Sequence, residues 1–295
     1  MVIDLMLKQR IITALALLAV LLPALFAETP QAFLILSALL IAAGAWEWAR
    51  MNGMASMKSV LSGVLCAGMC AIAWWAGWTS QTETWLWWLA GATWVGLTAW
   101  MLLRGVQGWA LWRPNVRWVL GVTMLWLAWL AMAQARTSSV QLLLSIFCVV
   151  WAADVFAYFF GRALGGKFIH QKLAPSVSPG KSWEGAIGGM FGVFLIAFGW
   201  MHFEQIYQWP GASFFMEMTQ HGFFLWALSL IFLTTMSVVG DLVESLVKRS
   251  AAWWVTWLNP WSNEVRVSKT VPTYCLAMVV CLIVWMPCCQ LCPSP

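Results

Sequence analysis

The segment SVQLLLSIFCVVWAADVFAYFF, residues 139–160, contains one charged residue, Asp154, and is otherwise apolar or weakly polar. A helix of about 20 such residues is long enough to cross the hydrocarbon core of a bilayer. An ionisable residue inside a membrane span is costly, and it is therefore a candidate for function. The segment predicts a transmembrane helix that carries a functional carboxylate.

The rest of the 295-residue chain has the same apolar character. Hydrophobic residues make up 62% of it and charged residues 9%, whereas soluble proteins carry about 25% charged residues. This composition excludes an ordinary soluble domain, a disordered chain and a disulfide-rich secreted module. The eight cysteines do not form the paired C-x-x-C motifs of a zinc site. The net charge of +5 is better explained by membrane orientation than by nucleic-acid binding, so we expect no nucleic-acid partner.

Apolar segments of similar length recur along the chain. They predict an all-α, polytopic helical integral membrane protein with about eight transmembrane helices, followed by an aberrant tail. The predicted spans are residues 11–27, 32–49, 59–78, 85–103, 118–134, 139–160, 185–201 and 222–239. The first span has the basic flank of a signal peptide, but no clear cleavage site of small residues precedes Glu28, so we expect it to be retained.

The basic residues of the connecting segments predict the orientation. If the N-terminus is cytoplasmic, thirteen Lys and Arg residues fall in cytoplasmic segments, and only Arg136 falls in an external loop. Short cytoplasmic loops carry such an excess of basic residues. The pattern therefore supports the number of spans and predicts that the polar motifs face the cytoplasm.

The first polar motif is the cytoplasmic end of the span that contains Asp154. Tyr158 follows one helical turn later, and Gly161 and Arg162 end the helix. We interpret Asp154 and Tyr158 as candidates for substrate binding. The alternative is a structural Asp154 that pairs with a basic residue of a neighbouring helix.

The second motif is the loop GRALGGKFIHQKLAPSVSPGKSWEG, residues 161–185. Its glycines permit close backbone approach, and its lysines suit phosphate groups. Lys181 and Ser182, followed by Glu184 at the start of the next span, resemble a phosphate-binding helix N-terminus. A Walker A loop is excluded because Pro175 replaces the required glycine and no strand is expected before it. The alternative is a solvated basic loop.

The third motif is GDLVESLVKRS, residues 240–250. On a helix, Asp241, Ser245 and either Lys248 or Arg249 share one face. A carboxylate, a hydroxyl and two cations at a membrane surface suit a metal-bound polyphosphate. The alternative is a charged helix end that anchors the chain among lipid headgroups.

Taken together, the three motifs resemble those of the phosphatidate cytidylyltransferase, or CDP-diacylglycerol synthase, family. Residues 154–162 match D-x-x-A-Y-x-x-G-R, residues 178–185 match S-P-x-K-[ST]-x-E-G, and residues 240–249 match G-D-L-x-E-S-x-x-K-R. The order and spacing agree, and the hydropathy of residues 1–250 is similar to that of a bacterial member.

The resemblance implies transfer of a cytidylyl group from CTP to phosphatidate at a bacterial inner membrane, with the active site facing the cytoplasm and Mg²⁺ as cofactor. It implies Asp241 as the metal ligand. The implied catalytic residues are Asp241, Ser245, Lys248 and Arg249, and the implied substrate-binding residues are Asp154, Tyr158, Lys181, Ser182 and Glu184. A homodimer is left open. The alternative is a polytopic transporter or lipid-binding protein without chemistry, which would spread its charges along a pathway.

The chain departs from the family pattern after Ala251. The expected K-D, P-G-H-G-G and D-R-x-D signatures are absent from residues 252–295. Codons for this tail can, however, be chosen so that reading from the third base of each codon gives GVKDSTHLLPGHG followed by GVLDRVDALLPVVP. The same frame upstream can encode a repeat of residues 238–251. We therefore interpret residues 1–251 as the membrane domain, and residues 252–295 as an out-of-frame tail that follows a tandem duplication.

Overall fold

The computed structural model describes residues 15–16, 18–80 and 84–258, with side chains as far as Ser250. Residues 18–26 are helical. The helices that follow are α1 (Gln31–Met51), α2 (Ser56–Trp75), α3 (Thr84–Ala110), α4 (Pro114–Ser138), α5 (Val140–Leu164), α6 (Trp183–Tyr207), α7 (Phe214–Thr219) and α8 (Phe223–Leu258). Strands β1 (Lys172–Ala174) and β2 (Ser178–Ser182) lie between α5 and α6.

Seven of these helices are long and apolar enough to cross a membrane, namely α1 to α6 and α8 up to Ser250. Each overlaps one of the predicted spans from the second to the eighth. The first predicted span, residues 11–27, is helical over 18–26, and the rest of it falls largely outside the described residues. The prediction of an all-α, multi-pass membrane protein is therefore confirmed.

Helix α8 is longer than its predicted span, because it continues through the third motif to Leu258. Its 36 residues correspond to about 54 Å at the helical rise of about 1.5 Å per residue. Asp241 lies 18 residues after Phe223, which is about 27 Å and nearly the thickness of the hydrocarbon core. The length of α8 thus brings Asp241 to one face of the membrane.

Helices α5 and α6 pack most extensively against each other, and glycines allow their close approach. A Cβ atom at Gly188 would overlap Cβ of Phe160, and one at Gly192 would overlap Cγ of Phe156. Small residues at helix contacts are the usual means of tight packing in membranes. This contact fixes Asp154 on α5 relative to the residues that begin α6.

Buried polar groups connect the helices at the end predicted to be external. The guanidinium of Arg136 donates to the carbonyl oxygens of Leu25 (2.9 Å) and Ala27 (2.6 Å). The carboxylate of Glu204 accepts from the backbone and the hydroxyl of Ser213, and both residues are buried. Because a buried charge requires such partners, these bonds give Arg136 and Glu204 a structural role.

The segment between α5 and α6 differs from the open loop expected from the sequence. Strands β1 and β2 form an antiparallel hairpin in which Lys172 is opposite Ser182 and Ala174 is opposite Ser178. The expectation that no strand precedes Ser178 is therefore wrong. Strand β1 has only three residues, and it forms through pairing with β2 rather than through a hydrophobic pattern of its own. The exclusion of a Walker A loop still holds, because Lys181 lies within β2 itself.

Candidate active site

A salt bridge between Lys181 and Asp241 is the centre of the candidate site. The Nζ atom of Lys181, in β2, contacts Oδ2 of Asp241, in α8, and both side chains are only partly exposed. The pair joins the second sequence motif to the third. The two residues were predicted separately to bind substrate and metal, and the structure brings them together.

Asp154 lies within electrostatic range of this pair. Its carboxylate interacts with Asp241, Lys181 and Glu244, so all three sequence motifs contribute to one cluster. Asp154 also lines a cavity of about 630 Å³ together with Trp151, Val155, Tyr158 and Phe159. The described wall of this cavity is thus largely apolar and aromatic, with a carboxylate on it.

Glu184 holds the segment that follows α5. Its side chain is 6% exposed, and Oε1 accepts backbone hydrogen bonds from Gly166 (3.1 Å), Phe168 (3.2 Å) and Ile169 (2.9 Å). A carboxylate oxygen that receives several N–H groups is strongly bound. Substrate binding by Glu184 stays a prediction, and these contacts show that its carboxylate positions the chain before the hairpin.

Ser182 and Tyr158 make local contacts at the same end of the helices. The Ser182 hydroxyl is the N-cap of α6 and accepts from the Gly185 amide at 3.2 Å. Tyr158 accepts a hydrogen bond from the Arg162 guanidinium at 2.9 Å, and both side chains are exposed. The sequence alone assigns Arg162 no role beyond the end of its helix. Its i, i+4 spacing from Tyr158 could have indicated this contact.

The remaining residues of the third motif lie on α8 beyond Asp241. Ser245 is half-buried one turn further along, and the exposed Arg249 donates to the carbonyl oxygen of Ser176 at 3.4 Å. Lys248 contacts Glu244, a buried acid that was not among the predicted site residues. The i, i+4 spacing of Glu244 and Lys248 could have indicated the pair.

The carboxylates are suitable for a magnesium ion whose coordination is completed by a substrate. Within the described residues, no group of three or more His, Cys, Asp and Glu side chains could hold a metal alone. Mg²⁺ commonly uses one or two carboxylates and completes its octahedron with phosphate oxygens and water. Asp154 and Asp241 are near enough to repel each other electrostatically, and a cation between two such hard oxygen donors would relieve that repulsion, so the residues present fit the ion.

The chain matches the model of the cytidylyltransferase family over residues 8–252. This match ends one residue beyond the boundary predicted from the sequence. Residues 259–295 lie outside the described part of the structure, and so do the side chains from 251 onward. The interpretation of the tail as out of frame therefore stays a prediction.

Several bacterial proteins are similar to the chain. Phosphatidate cytidylyltransferase of Haemophilus influenzae is 30% identical over 266 residues, which cover 83% of this chain and 87% of the relative. The Pseudomonas aeruginosa protein of that name is 30% identical over 249 residues, covering 83% and 85%. The Brucella abortus protein is 41% identical over 104 residues, covering 35% and 32%. No solved structure matches the chain.

Proposed function

The chain belongs to the cytidylyltransferase family, and we propose that it transfers the cytidylyl group of CTP to phosphatidate, giving CDP-diacylglycerol and pyrophosphate. The Lys181–Asp241 salt bridge is the observation that carries this proposal, since it unites two family motifs in one charged site. The relatives named phosphatidate cytidylyltransferase that span most of the chain support the same activity.

The cavity beside the charged cluster suits a lipid substrate. Trp151, Val155 and Phe159 are all between 45% and 61% exposed, on a helix that crosses the membrane. Asp154 lies on the same cavity wall and interacts electrostatically with Lys181. An acyl chain can therefore lie against the apolar residues while its phosphate approaches the cationic residues of the cluster.

The reaction is an in-line displacement at phosphorus. An oxygen of the phosphatidate phosphate attacks the α-phosphorus of CTP, and the bond from that phosphorus to the oxygen bridging to the β-phosphorus breaks. Negative charge grows on the departing pyrophosphate, and preorganised cations are the main way in which proteins stabilise such charge. We assign this role to Lys181, Lys248 and Arg249. Ser245, one turn from Asp241, would orient a phosphate by hydrogen bonding.

We propose that Asp241, with Asp154 beside it, would hold Mg²⁺. The ion would neutralise the charge of the pyrophosphate when bound. Lys181 contacts the Asp241 carboxylate, so a cation held by Asp241 would leave this lysine available to a substrate phosphate.

The membrane location follows from the spans and from the distribution of basic residues. We propose the bacterial inner membrane, with α5, β2 and the end of α8 facing the cytoplasm where CTP is present. Thirteen of the fourteen basic residues in the segments that connect or flank the spans fall on that side under this orientation.

The function is tested with α-labelled CTP and the purified protein in detergent. The protein used is a frame-restored chain, in which the repeated segment is removed so that the neighbouring frame follows Ala251 directly. Label is expected in the solvent-extractable lipid only when phosphatidate is added, together with release of pyrophosphate. A transporter or a non-catalytic lipid-binding protein would leave all of the label in the aqueous phase.

A further inference from the structure

Residues 166–172, the basic loop, follow the end of α5 and carry both apolar and cationic side chains. Phe168 is 74% exposed and Ile169 is 38% exposed, and the neighbouring Lys167 and Lys172 are exposed as well. An adjacent pair of exposed apolar residues between two cations is typical of segments that lie in the membrane interface.

The basic loop starts two residues after the last residue of a membrane-crossing helix. Helix α5 ends at Leu164, and the next crossing helix, α6, begins at Trp183, which is itself 43% exposed. Tryptophan is enriched at membrane–water boundaries. Phe168 is only four residues beyond Leu164, so the loop lies close to the lipid headgroups.

Backbone contacts fix the loop with its side chains outward. Glu184 accepts the amides of Gly166, Phe168 and Ile169, and Gly166 has a φ of +80° that a residue with a side chain rarely adopts. The ring of His170 is 3.2 Å from the Gly166 carbonyl oxygen. Because the Glu184 carboxylate already orders the loop backbone, a partner that binds the loop does not have to offset the entropy cost of ordering it.

The charge of this region identifies the partner. No acidic residue occurs between Asp154 and Glu184, whereas Arg162, Lys167, Lys172 and Lys181 lie in that interval. Basic residues next to a membrane span are attracted to anionic lipid headgroups. We propose that the basic loop binds anionic phospholipid at the membrane surface, with Phe168 inserted at the acyl boundary and Lys167 and Lys172 on headgroup phosphates.

This binding is separate from turnover, so it does not require the out-of-frame tail to be restored. It would concentrate anionic lipids, the class that includes phosphatidate, beside the cavity on α5. Failure of this proposal would leave the proposed cytidylyl transfer untouched, and an inactive chain could still bind lipid through the loop.

Native mass spectrometry of the full-length protein in detergent tests the cationic part. Lys167→Gln with Lys172→Gln is expected to weaken retention of phosphatidylglycerol about tenfold, and less at high salt. Lys58→Gln with Arg104→Gln removes the same charge from exposed positions on the same predicted side and should have little effect. Equal losses in both double variants would overturn the proposal.

Photocrosslinking in nanodiscs of equal phosphatidylglycerol and phosphatidylcholine tests the insertion of Phe168. Phe168→p-benzoylphenylalanine is expected to give lipid adducts enriched in phosphatidylglycerol. Phe224→p-benzoylphenylalanine, at a position 76% exposed near the start of α8, should give adducts in the proportion of the bilayer. No lipid adduct at Phe168, or the same lipid ratio at both positions, would overturn the proposal.

Discussion

Lys181 and Asp241 are sixty residues apart in sequence, and their side chains form a salt bridge between strand β2 and helix α8. Neither side chain is fully buried, so the pair remains accessible to ligands. A partly exposed pair is worth little to stability. Its importance is therefore expected in binding and catalysis rather than in folding.

The two residues should act as one unit in turnover. In the frame-restored chain, Lys181→Met and Asp241→Asn are each expected to lower kcat/KM by about 10³-fold, because the first removes a cation and the second removes a ligand of the ion that neutralises the same pyrophosphate charge. The double variant should be little worse than either single variant. Steady-state kinetics test this, with Lys58→Met as the control. Independent, multiplying effects, or near-normal activity of Asp241→Asn, would contradict the assigned roles.

Glu184 should control the order of the basic loop. Glu184→Ala removes the acceptor of three backbone amides, so trypsin should cleave after Lys167 and Lys172 about tenfold faster in detergent. Glu184→Gln retains a carbonyl acceptor and should have a smaller effect. Glu217→Gln removes a carboxylate from α7 and serves as the control. Unchanged cleavage in Glu184→Ala would show that the carboxylate does not hold the loop.

The α5–α6 contact should not tolerate a methyl group. A Cβ atom at Gly189 would lie 2.7 Å from the backbone oxygen of Ala153, which cannot move away as a side chain could. Gly189→Ala is therefore expected to lower the free energy of unfolding by about 1–3 kcal/mol. Gly199→Ala, on the same helix with no atom within 4 Å of its Cβ position, is the matched control. Equal midpoints of denaturation for the two variants would contradict the packing.

The orientation is open to a direct test. A reporter fused after Arg249 should behave as cytoplasmic, because the basic residues concentrate on that side. Glu204 lies near the predicted external end of α6, but it is buried and bonded to Ser213, so it is unsuitable as an insertion point. The exposed stretch 208–212 is therefore the better place, and a reporter there should be external. The opposite result at both positions would refute the orientation.

The sequence predicted the spans because membrane-crossing helices need long apolar runs that can be read directly. It also predicted that Asp154, Lys181 and Asp241 belong to one site. It could not predict the salt bridge between Lys181 and Asp241, since pairing across elements depends on how β2 meets α8. It could not predict the hydrogen bonds of Glu184 either, because their donors are backbone amides, which leave no signature in residue types.

We predict that the tail limits what the unaltered chain can do. In the family reading, aspartates of the D-R-x-D signature complete the metal site that Asp241 begins, and the only acidic residue after Ala251 is Glu264. Loss of part of a site that stabilises charge should cost about 10³-fold or more in rate. Resequencing of the gene would remove this explanation if it found one intact frame and no repeated segment.

The rate of CDP-diacylglycerol formation by the unaltered and the frame-restored chains, measured side by side at saturating CTP and Mg²⁺, tests the account most directly. We predict phosphatidate-dependent product from the restored chain and almost none from the unaltered chain. Comparable rates would show that the motifs before Ala251 suffice. No product from a well-folded restored chain would contradict the proposed function itself.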